Sequence, residues 1–186
     1  NTTTASSSDG TRGMWIGNTG DSQTEWNPTI SNNTLNNIGA TGIVGHSVGA
    51  LINNNLVTNT KGAGIKVVPP LGKGGQNTIE GNTLRANLFH GVQVENADSP
   101  VVIRRNVIDN NAISGIYASG GKFTNAQIVE NTITNHHEAG IYLYNGEGVT
   151  IQGNQLTGNG HGVTLEAIPG NTIQNVQITG NTMNNQ

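Results

Sequence analysis

The chain contains no cysteine, and it has few charged and few aromatic residues. Of its 186 residues, 10% are charged and 4% are aromatic, and its formal net charge is -3. The absence of cysteine excludes disulfides and thiolate metal sites. Because Lys and Arg are few and do not cluster, we expect no nucleic-acid partner. No apolar run is long enough for a transmembrane helix, so we expect no membrane partner either.

Glycine, asparagine and threonine are abundant instead, and one short pattern recurs along the chain. Each copy has an Ile, an Asn three residues later, and a Leu, Val, Ile or Met two residues after the Asn. The Asn residues are Asn33, Asn55, Asn82, Asn106, Asn131, Asn154 and Asn181. Successive copies lie 22 to 27 residues apart. A nearly fixed period of this length indicates one domain built from stacked repeats.

The repeat predicts β-structure throughout. Its apolar residues alternate with a period of two, which is typical of strands, and Gly and Asn are too frequent for stable helices. Each copy except the last is followed by a Gly-apolar segment, such as Gly115-Ile116-Tyr117-Ala118. We therefore predict an all-β parallel β-helix (solenoid) of about seven coils with three short strands each. The Asn side chains would form a ladder of amide hydrogen bonds between coils.

These Ile-x-x-Asn-x-(Leu/Ile) units and Gly-Ile-x-Val-like strands resemble the right-handed parallel β-helix proteins of the pectate-lyase-like superfamily. The resemblance covers roughly Gly13 to Asn184. It implies a right-handed parallel β-helix, in which Gly-Ile-x-x is the first strand, Ile-x-x the second, and the segment after the Asn the third. The superfamily includes lyases, hydrolases, epimerases, phage tailspikes and adhesins, so the resemblance specifies the fold more than the function.

The chain is expected to have two parts. Residues 1–12 are polar and predict an N-terminal linker, and residues 13–186 predict the β-helix. Neither end carries a recognisable cap, and an uncapped solenoid would expose strand edges and apolar core. We therefore expect a segment of a longer chain, with the ends covered by flanking segments or by the partners in a homotrimer.

The outward residues of the first strands form the most unusual surface. One outward column reads Trp15, Val44, Lys66, Gln93, Tyr117, Tyr142 and Thr164, and the next reads Gly17, His46, Val68, Glu95, Ser119, Tyr144 and Glu166. Aromatic rings beside hydrogen-bonding groups suit sugar rings. The expected substrate-binding residues are therefore Trp15, His46, Gln93, Tyr142, Tyr144 and Glu166. The alternative is that Tyr and Thr occur here only for their β-propensity.

Four residues on three adjacent coils are candidates for catalysis: Lys66, Glu95, Tyr117 and His90. A Lys or Tyr near C5 of a uronic acid could act as acid or base in β-elimination or epimerisation, and a cation or His would stabilise the carboxylate. We assign Lys66 and Tyr117 as the acid/base pair. The alternatives are a surface ion pair between Lys66 and Glu95, and a role for His90 as an ordinary bend residue.

The same face argues against glycoside hydrolysis. It contains no Asp, and Glu95 and Glu166 are three coils, or about 14 Å, apart, which is too far for the usual carboxylate pair. The Asp-Pro-His signature of mannuronan epimerases is also missing.

No cofactor is expected from the residues; the resemblance leaves calcium as an alternative, because some members of the superfamily use it. Adjacent histidines such as those in His136-His137-Glu138 seldom ligate one ion. Calcium needs a cluster of oxygen ligands, which the four aspartates do not supply: Asp9, Asp21, Asp98 and Asp109.

The sequence therefore favours an extracellular β-helix that binds and modifies a polysaccharide, of the lyase or C5-epimerase type, acting on an acidic glycan. It would be secreted, on the cell surface or on a virion. The alternative is a non-catalytic or trimeric shaft of a phage tailspike or an adhesin that binds a host surface glycan.

Overall fold

The structure is a computed structural model. It describes residues 2–4, 13–17, 27–46, 49–69, 75–95, 100–121, 123–167, 169–170 and 172–186. Three aspartates considered above (Asp9, Asp21 and Asp98) lie outside these residues, as does most of the predicted linker. The described residues form short strands joined by bends, without an α-helix.

Three parallel sheets run along the molecule, and seven successive coils contribute one strand to each; the third sheet has an eighth strand at its start. The first sheet comprises β2 (Met14–Gly17), β5 (Ile43–His46), β8 (Ile65–Val67), β11 (Val92–Glu95), β14 (Ile116–Ser119), β17 (Ala139–Tyr144) and β21 (His161–Glu166). The second comprises β3 (Thr29–Ser31), β6 (Leu51–Asn53), β9 (Asn77–Glu80), β12 (Val101–Arg104), β15 (Gln127–Val129), β19 (Thr150–Gln152) and β23 (Gln177–Thr179).

The third sheet comprises β1 (Thr2–Thr4), β4 (Thr34–Asn36), β7 (Leu56–Thr58), β10 (Thr83–Arg85), β13 (Val107–Asp109), β16 (Thr132–Thr134), β20 (Gln155–Thr157) and β24 (Thr182–Asn184). A small additional sheet pairs β18 (Gly146–Glu147) with β22 (Ile173–Gln174). This architecture confirms the predicted parallel β-helix, its three strands per coil and its approximate number of coils. The backbone of Thr2–Thr4 pairs with Thr34–Asn36, while the domain boundary at residue 12 stays a prediction.

The apolar residues of the repeat stack into the core. The Ile that begins each copy is at most 6% exposed at Ile30, Ile52, Ile79, Ile103, Ile128 and Ile151. The apolar residue after the Asn is completely buried in six copies: Leu35, Val57, Leu84, Ile108, Ile133 and Leu156. The corresponding residues of the last coil, Ile178 and Met183, are each 43% exposed. No further coil of the structure covers them.

The Asn ladder is present from Asn33 to Asn181. From Asn33 to Asn154, each Nδ2 donates a hydrogen bond to Oδ1 of the Asn on the next coil, over 2.9 to 3.0 Å. Each backbone N–H donates to the same Oδ1. The buried amides are thus satisfied, as buried polar groups generally must be.

A second ladder runs parallel to the first, and we did not predict it. It lies five residues after each Asn from Asn55 to Asn181 and consists of Thr60, Asn87, Asn111, His136, Asn159 and Gln186. His136 is therefore buried within a hydrogen-bonded column, separate from the exposed side chains of His137 and Glu138.

The Gly before each first-sheet strand is required by close packing between coils. A Cβ atom at Gly115 would lie 2.4 Å from Cγ2 of Ile133 and 2.6 Å from the carbonyl oxygen of Gly140. Gly91 and Gly140 are similarly crowded by the next coil. The bend that follows the third sheet therefore returns the chain to the first sheet in nearly the same way on each coil.

Candidate functional site

The outward face of the first sheet has the residue order that the sequence predicted. Gln93 pairs with Lys66 on one side and with Tyr117 on the other, and Tyr117 pairs with Tyr142. In the next column, Tyr144 pairs with Glu166. The parallel register therefore places the predicted site residues in two adjacent columns along the molecule.

Three tyrosines form an aromatic cluster on this face. The ring centroids of Tyr142 and Tyr144 are 4.8 Å apart, and the Tyr117 ring lies 5.9 Å from each of them. The Tyr142 hydroxyl donates a hydrogen bond to the Glu166 carboxylate and lies 3.2 Å from the Tyr144 hydroxyl. The bond to Glu166, followed by the contact with Tyr144, raises the pKa of Tyr142. Tyr142 therefore stays protonated and offers its ring and hydroxyl to a ligand.

His90 lies against this cluster in the preceding bend. Its ring stacks on Tyr117 with centroids 4.3 Å apart and an interplanar angle of 8°, and Phe89 packs edge-on against it. Burial, assisted by nearby His136, lowers the pKa of His90 to about 4. The imidazole is therefore neutral at pH 7. Its Nδ1 atom is buried and has no hydrogen-bond partner.

Glu95 is held by two donors from its own sheet. The Lys66 Nζ atom lies 2.8 Å from Oε1 of Glu95, and the Gln93 amide donates to the same oxygen over 2.7 Å. The two-residue offset in the sequence predicted that Lys66 could reach Glu95, and the structure places them in contact. The Lys66 ammonium is thus engaged by a carboxylate, as the ion-pair alternative described.

A groove of about 680 Å³ lies between this face and the bend that precedes it. Six of its lining residues were predicted from the sequence: His90, Gln93, Glu95, Tyr117, Tyr142 and Tyr144. The other lining residues are Phe89, Ile113, Ser119, His137, Glu138, Ala139 and His161. The volume falls within the usual range of small-molecule and cofactor sites.

Four of the ten predicted site residues are not part of the groove lining. Trp15 and His46 lie on β2 and β5, where their rings are 5.8 Å apart. Lys66 and Glu166 are closer to the groove, and each contacts a residue that lines it. The predicted roles of all ten residues stay predictions.

The residues that we missed come mainly from the bend. Phe89, Ile113 and Glu138 each lie two residues before the strand Gly, and His161 lies one residue before it. These positions repeat from coil to coil, so the signal was present in the sequence. Of the bend residues, only His90 was assigned to the site from the sequence, together with outward residues of the strands.

The described part of the chain shows no group of three or more His, Cys, Asp or Glu side chains that could hold a metal ion. It also contains no helix with the length and apolarity needed to cross a bilayer.

Comparison with known proteins identifies the family. The sequence profile of the right-handed β-helix region family matches residues 71–186. The chain belongs to this family. Its β-helix is thus related by sequence as well as by fold to other right-handed β-helices, which confirms the resemblance drawn from the repeat. No curated protein matches the sequence.

Two solved structures share the fold of this β-helix protein, and both are mutants of the periplasmic alginate epimerase AlgG. A point mutant is 20% identical with a TM-score of 0.66, and the match covers 83% of this chain and 45% of the epimerase chain. A double mutant is 17% identical with a TM-score of 0.60, and the match covers 83% and 50% of the two chains. The β-helix thus spans about half the length of the structures that it matches.

Proposed function

We propose that this β-helix protein binds an extracellular polysaccharide in the groove and modifies it chemically. The observation that carries the proposal is the cluster of three tyrosines beside Glu95, Glu138 and Gln93 in one groove. Tyrosine rings pack against the apolar faces of sugars, while carboxylates and amides bond to sugar hydroxyls. The fold shared with a periplasmic alginate epimerase supports both the class of ligand and a location outside the cytoplasm.

The proposed reaction is that of a lyase or a C5-epimerase acting on an acidic glycan. Both reactions begin when a base removes the C5 proton of a uronate. An epimerase then returns a proton to the opposite face. In a lyase, the C4–O4 bond breaks instead and the departing oxygen gains a proton. Each reaction therefore needs at least one group that can move a proton in the groove.

Tyr117 is the groove residue best suited to proton transfer, because its phenol hydroxyl lies in the lining. His90 stacks on its ring, and its low pKa of about 4 makes its imidazole a weak base. Lys66 was assigned to the same task, and that assignment stays a prediction, although its ammonium is bound to Glu95. In the proposed site, Lys66 and Gln93 fix the Glu95 carboxylate, which accepts hydrogen bonds from the substrate.

The test is to incubate the protein with alginate, pectate and bacterial capsular polysaccharides. Ultraviolet absorbance detects the unsaturated ends made by a lyase, and proton NMR detects inversion at C5. The Tyr117→Phe variant removes only the hydroxyl, so we expect turnover to fall by about 100-fold with little change in binding. Thr132→Val, on the third sheet, is the matched control and should keep full activity.

If no polymer in the panel changes, the catalytic part of the proposal is wrong. A non-catalytic binding shaft is then the better function, and the engagement of Lys66 by Glu95 favours it. Glycan binding without product would support that alternative. Light scattering tests its trimeric form, which a clean monomer would contradict.

A further inference from the structure

The charge of the groove does not suit an acidic glycan at neutral pH. Its lining includes the carboxylates of Glu95 and Glu138, and none of the described residues that line it is a Lys or Arg. The nearby ammonium of Lys66 lies 2.8 Å from Glu95 and offsets that carboxylate. A polyuronate brings one more carboxylate with each sugar, so like charges would meet in a partly enclosed site.

His90 cannot supply the missing positive charge. Its side chain is 3% exposed and lies against Tyr117 and Phe89. Burial lowers its pKa to about 4, so the imidazole is neutral at any pH at which the groove would ordinarily work.

His137 and His161 are the remaining groove residues that can become positively charged. Both side chains are exposed, and both line the groove. The His161 N–H donates to the Glu138 carbonyl over 2.8 Å, and the Gly160 N–H donates to the His136 carbonyl. These backbone bonds place His161 one coil away from His137, on the same edge of the groove. Histidine is the side chain that gains a positive charge in mildly acidic solution.

The other titratable groups around this edge cannot take over that task. Glu138 lies in the same bend. The strands beside the groove add the phenols of Tyr142 and Tyr144 and the carboxylate of Glu166. His136 is buried behind the bend and bonded within the second ladder. Lys66 is the nearby cation, and Glu95 already engages it.

We infer that His137 and His161 form an imidazole subsite that receives the carboxylates of an acidic glycan. The inference rests on the proposed function of the groove. Imidazole as a chemical group gains positive charge in mildly acidic solution, while sugar carboxylates stay ionised. Affinity for a polyuronate therefore rises in mild acid, whereas affinity for a neutral glycan does not change. The two histidines act on binding and take no part in proton transfer to carbon.

The experiment measures oligosaccharide binding by calorimetry at constant ionic strength, at about pH 7.5 and about pH 5.5. The ligands are an oligogalacturonate, an oligoguluronate and a neutral cello-oligosaccharide of the same length. We expect the affinity of the wild type for the acidic ligands to rise about ten-fold in acid. Circular dichroism at both pH values verifies that the protein stays folded.

Two double variants separate charge from shape. His137→Gln with His161→Gln keeps polar side chains of similar size and should abolish the rise in affinity. His137→Lys with His161→Lys supplies permanent charge, and it should bind the acidic ligands tightly at both pH values. Gln152→Ala, an exposed change on the second sheet, should behave like the wild type.

Three further outcomes would contradict either the imidazole subsite or the proposed function of the groove. If the acidic ligands bind equally at both pH values, or if the Gln variant keeps the rise, the subsite is wrong while the proposed glycan groove stands. If the neutral ligand binds more tightly than the acidic ones at both pH values, the inference is overturned and the groove takes neutral sugars. If no ligand binds at all, the proposed function itself fails.

Discussion

His136 occupies a position in the second ladder where the coils on both sides carry an amide. Asn111 offers an Nδ2 donor 3.1 Å from His136 Nε2, and Asn159 offers an Oδ1 acceptor 2.8 Å from Nδ1. The ring must therefore accept at Nε2 and donate from Nδ1. This fixes both its tautomer and its neutral state. Protonation would place an N–H of the ring against the Asn111 donor and break the column.

The first prediction is that acid weakens the fold through His136. Burial lowers its pKa below the ordinary value of 6.5, although the bond to Asn159 and the charge of Asp109 partly oppose this. Between the lowered pKa and 6.5 the unfolded chain binds the proton and the folded chain does not. The stability is therefore complete above about pH 6.5 and is lost as the pH falls, by at most about 1.4 kcal/mol per pH unit for one proton.

Urea unfolding at a series of pH values measures this loss. His136→Asn restores an amide at the position, as in Asn111 and Asn159, so its stability should fall less steeply with acid. A smaller dependence should remain, because the pKa of His90 is also low. Equal slopes for the wild type and the variant would show that His136 is not the responsible group.

Sequence alone could not separate the three residues of His136-His137-Glu138. They are adjacent in the chain and equally polar, so they read as one polar cluster. The bend turns the first side chain into the ladder and leaves the other two at the groove. That division depends on which residues the neighbouring coils place beside them.

At the scale of one element, the Asn ladder holds the turn between the second and third sheets. Asn106 shows how completely each amide is used. Its Oδ1 accepts from both the N–H and the Nδ2 of Asn82, and its own Nδ2 donates to Asn131 and to the carbonyl of Ile79. A buried amide with this many partners cannot be removed without leaving donors unpaired.

The second prediction concerns Asn106→Ala. The change leaves two donors of Asn82 buried without an acceptor, and each costs about 1 to 3 kcal/mol. We therefore expect the free energy of unfolding to fall by about 3 kcal/mol, measured by urea denaturation followed by circular dichroism. Gln127→Ala removes an exposed amide-bearing side chain on β15 and serves as the control, with a change within about 0.5 kcal/mol. A loss for Asn106→Ala no larger than that of the control would mean that the ladder does not stabilise the fold.

The first ladder was readable from the sequence because one residue type fills every position. The second has the same spacing, but Thr, Asn, His and Gln share the column. All four can donate or accept hydrogen bonds, so the packing of the coil accepts any of them. The position therefore repeats on successive coils, but no single residue type repeats there, and the sequence pattern does not reveal it.

Across the whole molecule, the first sheet forms a continuous face with the groove towards one end. Trp15 and Tyr117 are four strand steps apart, which is about 19 Å at the usual strand spacing. A disaccharide in the groove cannot contact both rings. A long polysaccharide lying along the face could contact both.

The third prediction uses this separation to test the binding role assigned to Trp15. Trp15→Ala should leave the affinity for a disaccharide unchanged and weaken the affinity for a long polymer about five- to ten-fold, because one aromatic contact is lost. Tyr117→Ala should weaken both. Calorimetry with ligands of increasing length provides the measurement. If Trp15→Ala has no effect at any length, the glycan does not extend along the face to β2.

The sequence by itself determined the β-helix, the contents of its core and the order of side chains on each face. A strand alternates its side chains strictly, and each coil pairs with the next at a fixed offset, so one repeat is enough to generate the register. The pairing of Lys66 with Glu95 follows from this register. Only the tertiary structure decided where the groove lies and which residues complete it. The repeating pattern places Glu138 and His161 in the same bend of successive coils, but it does not show that this bend packs beside the sheet and completes a groove.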